Sequence, residues 1–354
     1  MKNFKISVVI CAYNEEKTIE RCINSLINQA FPNELYEIIL IDDDSTDNMA
    51  DVVIPIIKEN NDLSIRYLKI FHAGLSGARN AGVSVSNGEI IAFMDGDAHA
   101  DKYWLENIYK SFNQKDVSVV SGRVKNYNPN SKFFSELIYL NHFKPSVDTS
   151  KSKVTGTNMA YRNKVFNENL YFLKTFSARG DETYLVSKYF IENPSKKEYF
   201  NENSVVFNKH PENLIEWLRQ QFIEGVSGEK INKILKNKKR NILNIFARIA
   251  SVSFIPHFLY FFFFPADFYI LLFHFSLFFL RNYYKKSYML SGFNNVKKKF
   301  GTHFGCLGFF ISILGTLISD IGNLVEKFFS KKTYAAKKVD IKFISQLSSN
   351  YNIH

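Results

Sequence analysis

Between residues 6 and 101, short strand-like runs alternate with stretches whose apolar residues recur at helical spacing. Strand-like runs cover residues 6–11, 37–41 and 89–94, mainly apolar, and 64–70, where apolar and polar residues alternate. Between the first two runs, Ile19, Ile23, Leu26 and Ile27 fall three or four apart, which predicts a buried helix face. The order is therefore β-α-β-α-β-α-β. That pattern predicts an α/β fold with a mostly parallel sheet and helices on both faces. Asn14 followed by Glu15 and Glu16 predicts the start of the first helix, and Thr46 or Asp47 predicts the cap of a second running to about residue 59.

In open α/β sheets, ligands bind just beyond the carboxyl ends of the strands. At those ends this chain places Ala12-Tyr13-Asn14-Glu15, the acidic run Asp42-Asp43-Asp44-Ser45-Thr46-Asp47, and Asp95-Gly96-Asp97. Asp95 and Asp97 are hard oxygen donors, suited to Mg2+ or Mn2+ held against phosphate oxygens. Gly96 between them lets a ligand approach closely. Taken alone, the same acids also suit the plain task of capping the next helix. The small residues from Gly77 to Gly82 let a helix pack close to the sheet, and Arg79 among them has two uses, neutralising a phosphate or pairing with the acidic cluster.

Further along, residues 104–112 predict a helix and 117–124 a strand. Residues 126–152 are polar and irregular, an expected lid or acceptor-facing segment. Residues 154–161 predict a strand, Gly180-Asp181-Glu182-Thr183 a helix start, and 205–207 a strand; Pro211 begins another helix.

The chain carries a formal net charge of +11 and 35 Phe, both weighted toward its C-terminal part. Residues before about 229 are slightly acidic. Beyond them, Lys230, Lys233, Lys236, Lys238, Lys239 and Arg240 precede an apolar region, 242–280, with one Arg and one Asp. Basic clusters that flank apolar runs favour a membrane partner over nucleic acid. Residues 246–264 are just long enough to span a bilayer, and 266–280 are short, so a hairpin with both ends cytoplasmic is expected. Residues 304–322 form a weaker segment, read as interfacial or re-entrant. Three cysteines, Cys11, Cys22 and Cys306, provide no disulfide framework or Cys-x-x-Cys metal pair. The N-terminus leads straight into a strand without a signal peptide.

Val8-Val9-Ile10-Cys11-Ala12-Tyr13-Asn14-Glu15, the Asp42–Asp47 run, Gly77-Ala78-Arg79-Asn80-Ala81-Gly82 and Asp95-Gly96-Asp97, in this order, resemble family 2 glycosyltransferases of the GT-A fold. Gly156-Thr157-Asn158-Met159-Ala160-Tyr161-Arg162 and Gly180-Asp181-Glu182 are similar to that family's acceptor-side strand and acidic base motif. The resemblance implies a catalytic domain over residues 1–230, and the hydropathy and charge pattern predicts membrane-associated helices over 231–330 and a basic tail over 331–354. It implies nucleotide-sugar binding by Ala12, Tyr13, Asn14, Asp43, Arg79, Asp95 and Gly96, with Asp43 on the base. A Mn2+ or Mg2+ ion would be held by Asp97 and Asp95, with His210 completing the metal shell or touching phosphate.

Because the family commonly has Glu-Asp where this chain has Asp-Glu, both Glu182 and Asp181 remain candidates for the general base. The implied activity is inverting, metal-dependent transfer from a UDP- or GDP-sugar to a lipid-linked or cell-surface glycan, by an enzyme at the cell membrane with its catalytic domain in the cytoplasm. Ile223-Glu224 stand where processive members carry Arg-Trp, so non-processive transfer is expected. A nucleotidyltransferase on a similar sheet would carry a Gly-rich, Lys-containing signature that residues 6–16 lack. A non-catalytic membrane scaffold would not need Asp43, Asp95, Asp97 and the Asp181-Glu182 pair intact.

Overall fold

The computed structural model describes residues 4–127, 154–166, 170–176, 179–235 and 302–330. These fall into two compact units, one built from the described residues up to 209 and one from 210–235 and 302–330.

The first unit is an eight-stranded sheet. Its strands are β1 (Ile6–Ala12), β2 (Tyr36–Asp42), β3 (Ser64–Lys69), β4 (Ile90–Asp95), β5 (His99–Ala100), β6 (Val117–Asn126), β7 (Met159–Arg162) and β8 (Lys197–Asn208), in the order β3-β2-β1-β4-β7-β6-β8-β5. The four predicted strands form a parallel half, β3-β2-β1-β4, as the alternation with helices requires. Expectation and structure part in the second half. There β7 runs antiparallel to both β4 and β6, and β5 antiparallel to β8, so the sheet is mixed. The four residues of β7 follow a tight turn at 155–158 and pair with strands distant in the chain, so their direction is set by tertiary pairing.

Helices α1 (Ile19–Ile27), α2 (Met49–Glu59) and α4 (Trp104–Ser111) accompany one apolar cluster; α3 (Gly74–Val85) and α5 (Asp181–Glu192) accompany the other. Alternate residues of β1 supply the two clusters, Ile6, Val8 and Ile10 to the first and Val9 and Cys11 to the second. Helices therefore do cover both faces. Cys11 and Cys22 are buried free thiols.

One expected helix start moves. Asn14 is not a cap, because α1 begins at Ile19. Asn14 instead adopts a φ of 57°, and its side-chain oxygen accepts hydrogen bonds from the backbone of Thr46 at 2.8 Å and of Asp47 at 3.4 Å. Asp47 in turn accepts from the Met49 amide at the start of α2 and from the Glu16 amide at 2.9 Å. The loops after β1 and β2 are thus laced together, which fixes the mouth of the sheet.

Asn158 secures the junction of the two halves. Its Oδ1 accepts from Trp104 Nε1 at 2.9 Å, and its Nδ2 lies 3.0 Å from the Arg123 carbonyl and 2.9 Å from the Ser204 carbonyl. It is 1% exposed, so water cannot replace those bonds. Asn158→Leu would orphan an indole N–H and two carbonyls, at about 1–3 kcal/mol each before relaxation. The expected outcome in urea unfolding is a loss of at least ~2 kcal/mol, and an unchanged midpoint would remove this role.

In the second unit, α6 (Leu214–Ile234) packs against α7 (Thr302–Phe329). Glycines make the approach possible: a Cβ on Gly225 would meet the Ser319 backbone, and one on Gly322 the Phe222 backbone. The seam is polar, burying Gln221, Thr316, Asp320 and Asn323, and it carries ion pairs from Lys233 to Glu326 (3.1 Å) and from Lys327 to Glu229 (3.4 Å). The 304–322 segment thus lies within α7. Among the described residues no helix is long and apolar enough to cross a membrane. The expected hairpin at 246–280 and the tail from 331 lie outside the described residues, as does nearly all of the segment at 126–152.

Candidate active site

Helix α3 collects the residues that the sequence had singled out. At its first turn, the Asp43 carboxylate accepts from the amides of Ala73 (2.6 Å) and Gly74 (2.9 Å), where the positive end of the helix dipole favours an anion. Asp43 is 4% exposed, and burial pushes its pKa up, against the opposing pull of these amides and His72. The exposed rings of Tyr13 and His72 face each other beside it, 4.9 Å between centroids. Ala12 ends β1, and its carbonyl accepts from the Asp43 amide at 3.0 Å.

One turn further on, Ser76 Oγ donates to Asp181 at 3.0 Å, and Arg79 reaches three carboxylates. Its Nη1 lies 2.8 Å from Asp181 Oδ1 and 3.8 Å from Glu182, and its Nη2 lies 3.6 Å from Asp95. Of the two uses open to Arg79, the structure displays the ion pair with the acids. The side chain is 3% exposed and lies against Gly156, where a Cβ would collide with the guanidinium. That close approach is the physical need for glycine in the turn before β7.

The two candidate bases at the start of α5 differ sharply. Asp181 is 1% exposed, and both its oxygens are taken by Arg79 and Ser76. Burial would raise its pKa, but Arg79 and the hydrogen bonds hold it below the usual carboxylate value. Glu182 retains some exposure, 14% of its side chain, and touches Arg79 only at 3.8 Å. Burial, then a hydrogen bond to Asp181 and that neighbour's charge, push its pKa well up. Two adjacent carboxyls are thus driven apart, one fixed as an anion and the other given a high proton affinity. This is the environment of a general base.

Beyond β4, Asp95 accepts from Thr157 Oγ1 at 2.5 Å. Asp97 is pushed up to about 7 by burial and by the charges of Asp95 and Glu15. Gly96 packs tightly between them; a Cβ there would lie 2.9 Å from Ala12 Cβ and 3.4 Å from Glu15 Cγ. Glu15, expected from its neighbours to be a helix-start acid, joins this carboxylate group. The signal for it was adjacency to Asn14, whose left-handed backbone turns the chain back toward the sheet.

The donor set fits a hard cation. Among the described residues no three His, Cys, Asp or Glu side chains form a ready metal cage. A hard ion that arrives with a diphosphate needs only one or two protein carboxylates, the rest of its shell being phosphate oxygens and water. His210, the expected third ligand, is buried at 2% exposure and belongs to the second unit, whereas Asp95 and Asp97 belong to the first.

Comparison with known proteins places this chain among glycosyltransferase sequences and folds. A poly(ribitol-phosphate) beta-glucosyltransferase of Bacillus spizizenii is 29% identical over 193 residues, 52% of this chain and 29% of that protein. Glycosyltransferase AglE of Haloferax volcanii is 32% identical over 125 residues, 35% of this chain and 41% of that one. The chain thus spans less than half the length of these relatives. Among solved structures, the mannosyltransferase PcManGT from Pyrobaculum calidifontis, in complex with GDP-Man and Mn2+, superposes with a TM-score of 0.59 at 15% identity. That match covers 93% of this chain and 88% of the other, and it shows a shared fold. Residues 7–170 match the family described as Glycosyl transferase family 2.

Proposed function

We propose that this chain is a metal-dependent, inverting glycosyltransferase that moves a sugar from a nucleoside-diphosphate sugar to a glycan acceptor in a non-processive reaction. The observation that carries the reading is the Arg79 guanidinium, which ties the Asp95 carboxylate to the Asp181-Glu182 pair and so puts donor-side and base-side acids in one network. Tyr13 offers a ring for the nucleobase of UDP or GDP, and Asp43 a buried acceptor for a base N–H. Asp95 and Asp97 would hold Mn2+ or Mg2+, which supplies positive charge to stabilise the departing diphosphate.

Glu182 takes the proton of the acceptor hydroxyl. The acceptor oxygen bonds to the anomeric carbon as its bond to the diphosphate oxygen breaks. A single displacement of this kind inverts the anomeric centre, so an α-linked donor yields a β-linked product. Arg79 keeps Asp181 charged beside Glu182, which raises the basicity that the transfer needs.

The acceptor in this reading is a lipid-linked or cell-surface glycan. Basic clusters on either side of the apolar residues 242–280 would draw the C-terminal part to an anionic cytoplasmic leaflet, at about 1 kcal/mol per residue near the surface.

The test is turnover of UDP- and GDP-sugars by the full chain with Mn2+, with Mg2+ and after chelation. Activity is expected only with a divalent ion, and Asp97→Asn should lower it at least ~100-fold while leaving the fold intact by circular dichroism. Metal-independent turnover in wild type, or full turnover in Asp97→Asn, would remove the metal from the mechanism.

A further inference from the structure

A row of cationic and aromatic side chains crosses the sheet edge next to Asp97. Lys125 of β6 is in register with Phe207 of β8, and Phe207 with His99 of β5. The His99 and Phe207 rings stack at 5.0 Å, and Lys125 Nζ lies 5.8 Å from the Phe207 centroid. Tyr127, two residues beyond Lys125, lies 5.9 Å from His99 and carries the Arg21 guanidinium over its ring at 4.1 Å. Arg21 closes the row by donating to the Asp97 carbonyl at 3.2 Å.

All five side chains are partly exposed. Neither Arg21 nor Lys125 has a carboxylate within ion-pair distance among the described residues, and Arg21 Nε and His99 Nδ1 are buried without a hydrogen-bond partner. Unpaired cations set among aromatic rings offer two kinds of contact at once, charge for an anion and ring faces for the C–H faces of a sugar or polyol.

Two cations set against rings, neither held by a carboxylate among the described residues, favour an anionic ligand on this approach. A neutral glycan would need the rings but neither cation.

Building on the glycosyltransferase reading, we propose that Arg21, His99, Lys125, Tyr127 and Phe207 form an acceptor subsite for a chain of polyol or sugar units joined by phosphodiesters. The anionic links bind Arg21 and Lys125, and the carbon skeleton lies on Tyr127 and Phe207.

Calorimetric titration of the full chain tests this with three probes: a synthetic glycerol phosphate oligomer, a neutral maltooligosaccharide of similar length, and inorganic phosphate. UDP and GDP with Mn2+ are titrated in parallel. The oligomer is expected to bind at least ~10-fold tighter than either other probe and to weaken as salt is raised. Lys125→Ala and Tyr127→Ala should each weaken it about 10-fold, with nucleotide affinity and Tm unchanged. The subsite is overturned if the neutral oligosaccharide binds as well, if phosphate alone binds as tightly as the oligomer, or if both variants bind normally. Failure of the nucleotides to bind wild type would instead sink the glycosyltransferase reading, and the oligomer titration would still judge the surface.

Discussion

Glu182→Gln should lower sugar transfer by about 10²–10⁴-fold, the range that a lost general base costs, and at the same time should make the protein more stable. Both effects share one cause. Glu182 sits largely buried next to Asp181, which Arg79 keeps ionised, so its own carboxylate form is held at a cost. Its pKa in the fold is raised above the usual Glu value of 4.5, whereas in the unfolded chain it returns there. The folded state therefore binds this proton more tightly, and stability declines as pH rises from the unfolded value through the folded one. A neutral glutamine of the same shape removes that penalty. At neutral pH the variant should melt a few degrees higher, at roughly 2–4 °C for each kcal/mol recovered. The wild-type rate should fall on the acid side at a pH well above 4.5, because only the deprotonated base accepts the hydroxyl proton. Activity and melting point need to be measured on the same preparation. An active Glu182→Gln variant would return the base assignment to Asp181, against its full set of bonds.

Arg79→Ala should be the most damaging single change in the first unit, at about 3–5 kcal/mol, the usual cost of leaving one member of a buried ion pair alone. Among the described residues Arg79 is the cation at ion-pair distance from Asp181, and the same guanidinium reaches Asp95 and Glu182. A fall in Tm of roughly 6–20 °C follows from that range. The variant's Asp181 would take up a proton to escape its isolation, so the deficit should shrink as pH is lowered. Combining Arg79→Ala with Asp181→Asn removes the uncompensated charge and should recover part of the loss, a non-additivity that a double-mutant cycle measures directly. If Arg79→Ala costs less than ~1 kcal/mol, the network is not the centre of the site. Transfer should be lost in all of these variants.

The sequence alone determined the parallel half of the sheet. Its four strand-like runs are local patterns, and a run-then-helix alternation leaves little choice of topology. It also determined which chemistry gathers at the strand ends, because Asp43, Asp95 and Asp97 follow their strands directly. Tertiary structure alone decided the rest. The direction of β7 depends on partners far apart in the chain, β4 and β6, which no local pattern encodes. Asn14 reads as a helix cap by its neighbours, yet bonds to Thr46 and Asp47 override that propensity. Above all, Asp181 and Glu182 are adjacent and chemically alike, so sequence could not rank them. The ranking comes from a guanidinium about a hundred residues earlier that binds one and only brushes the other, and burial then turns that small difference in distance into opposite proton affinities.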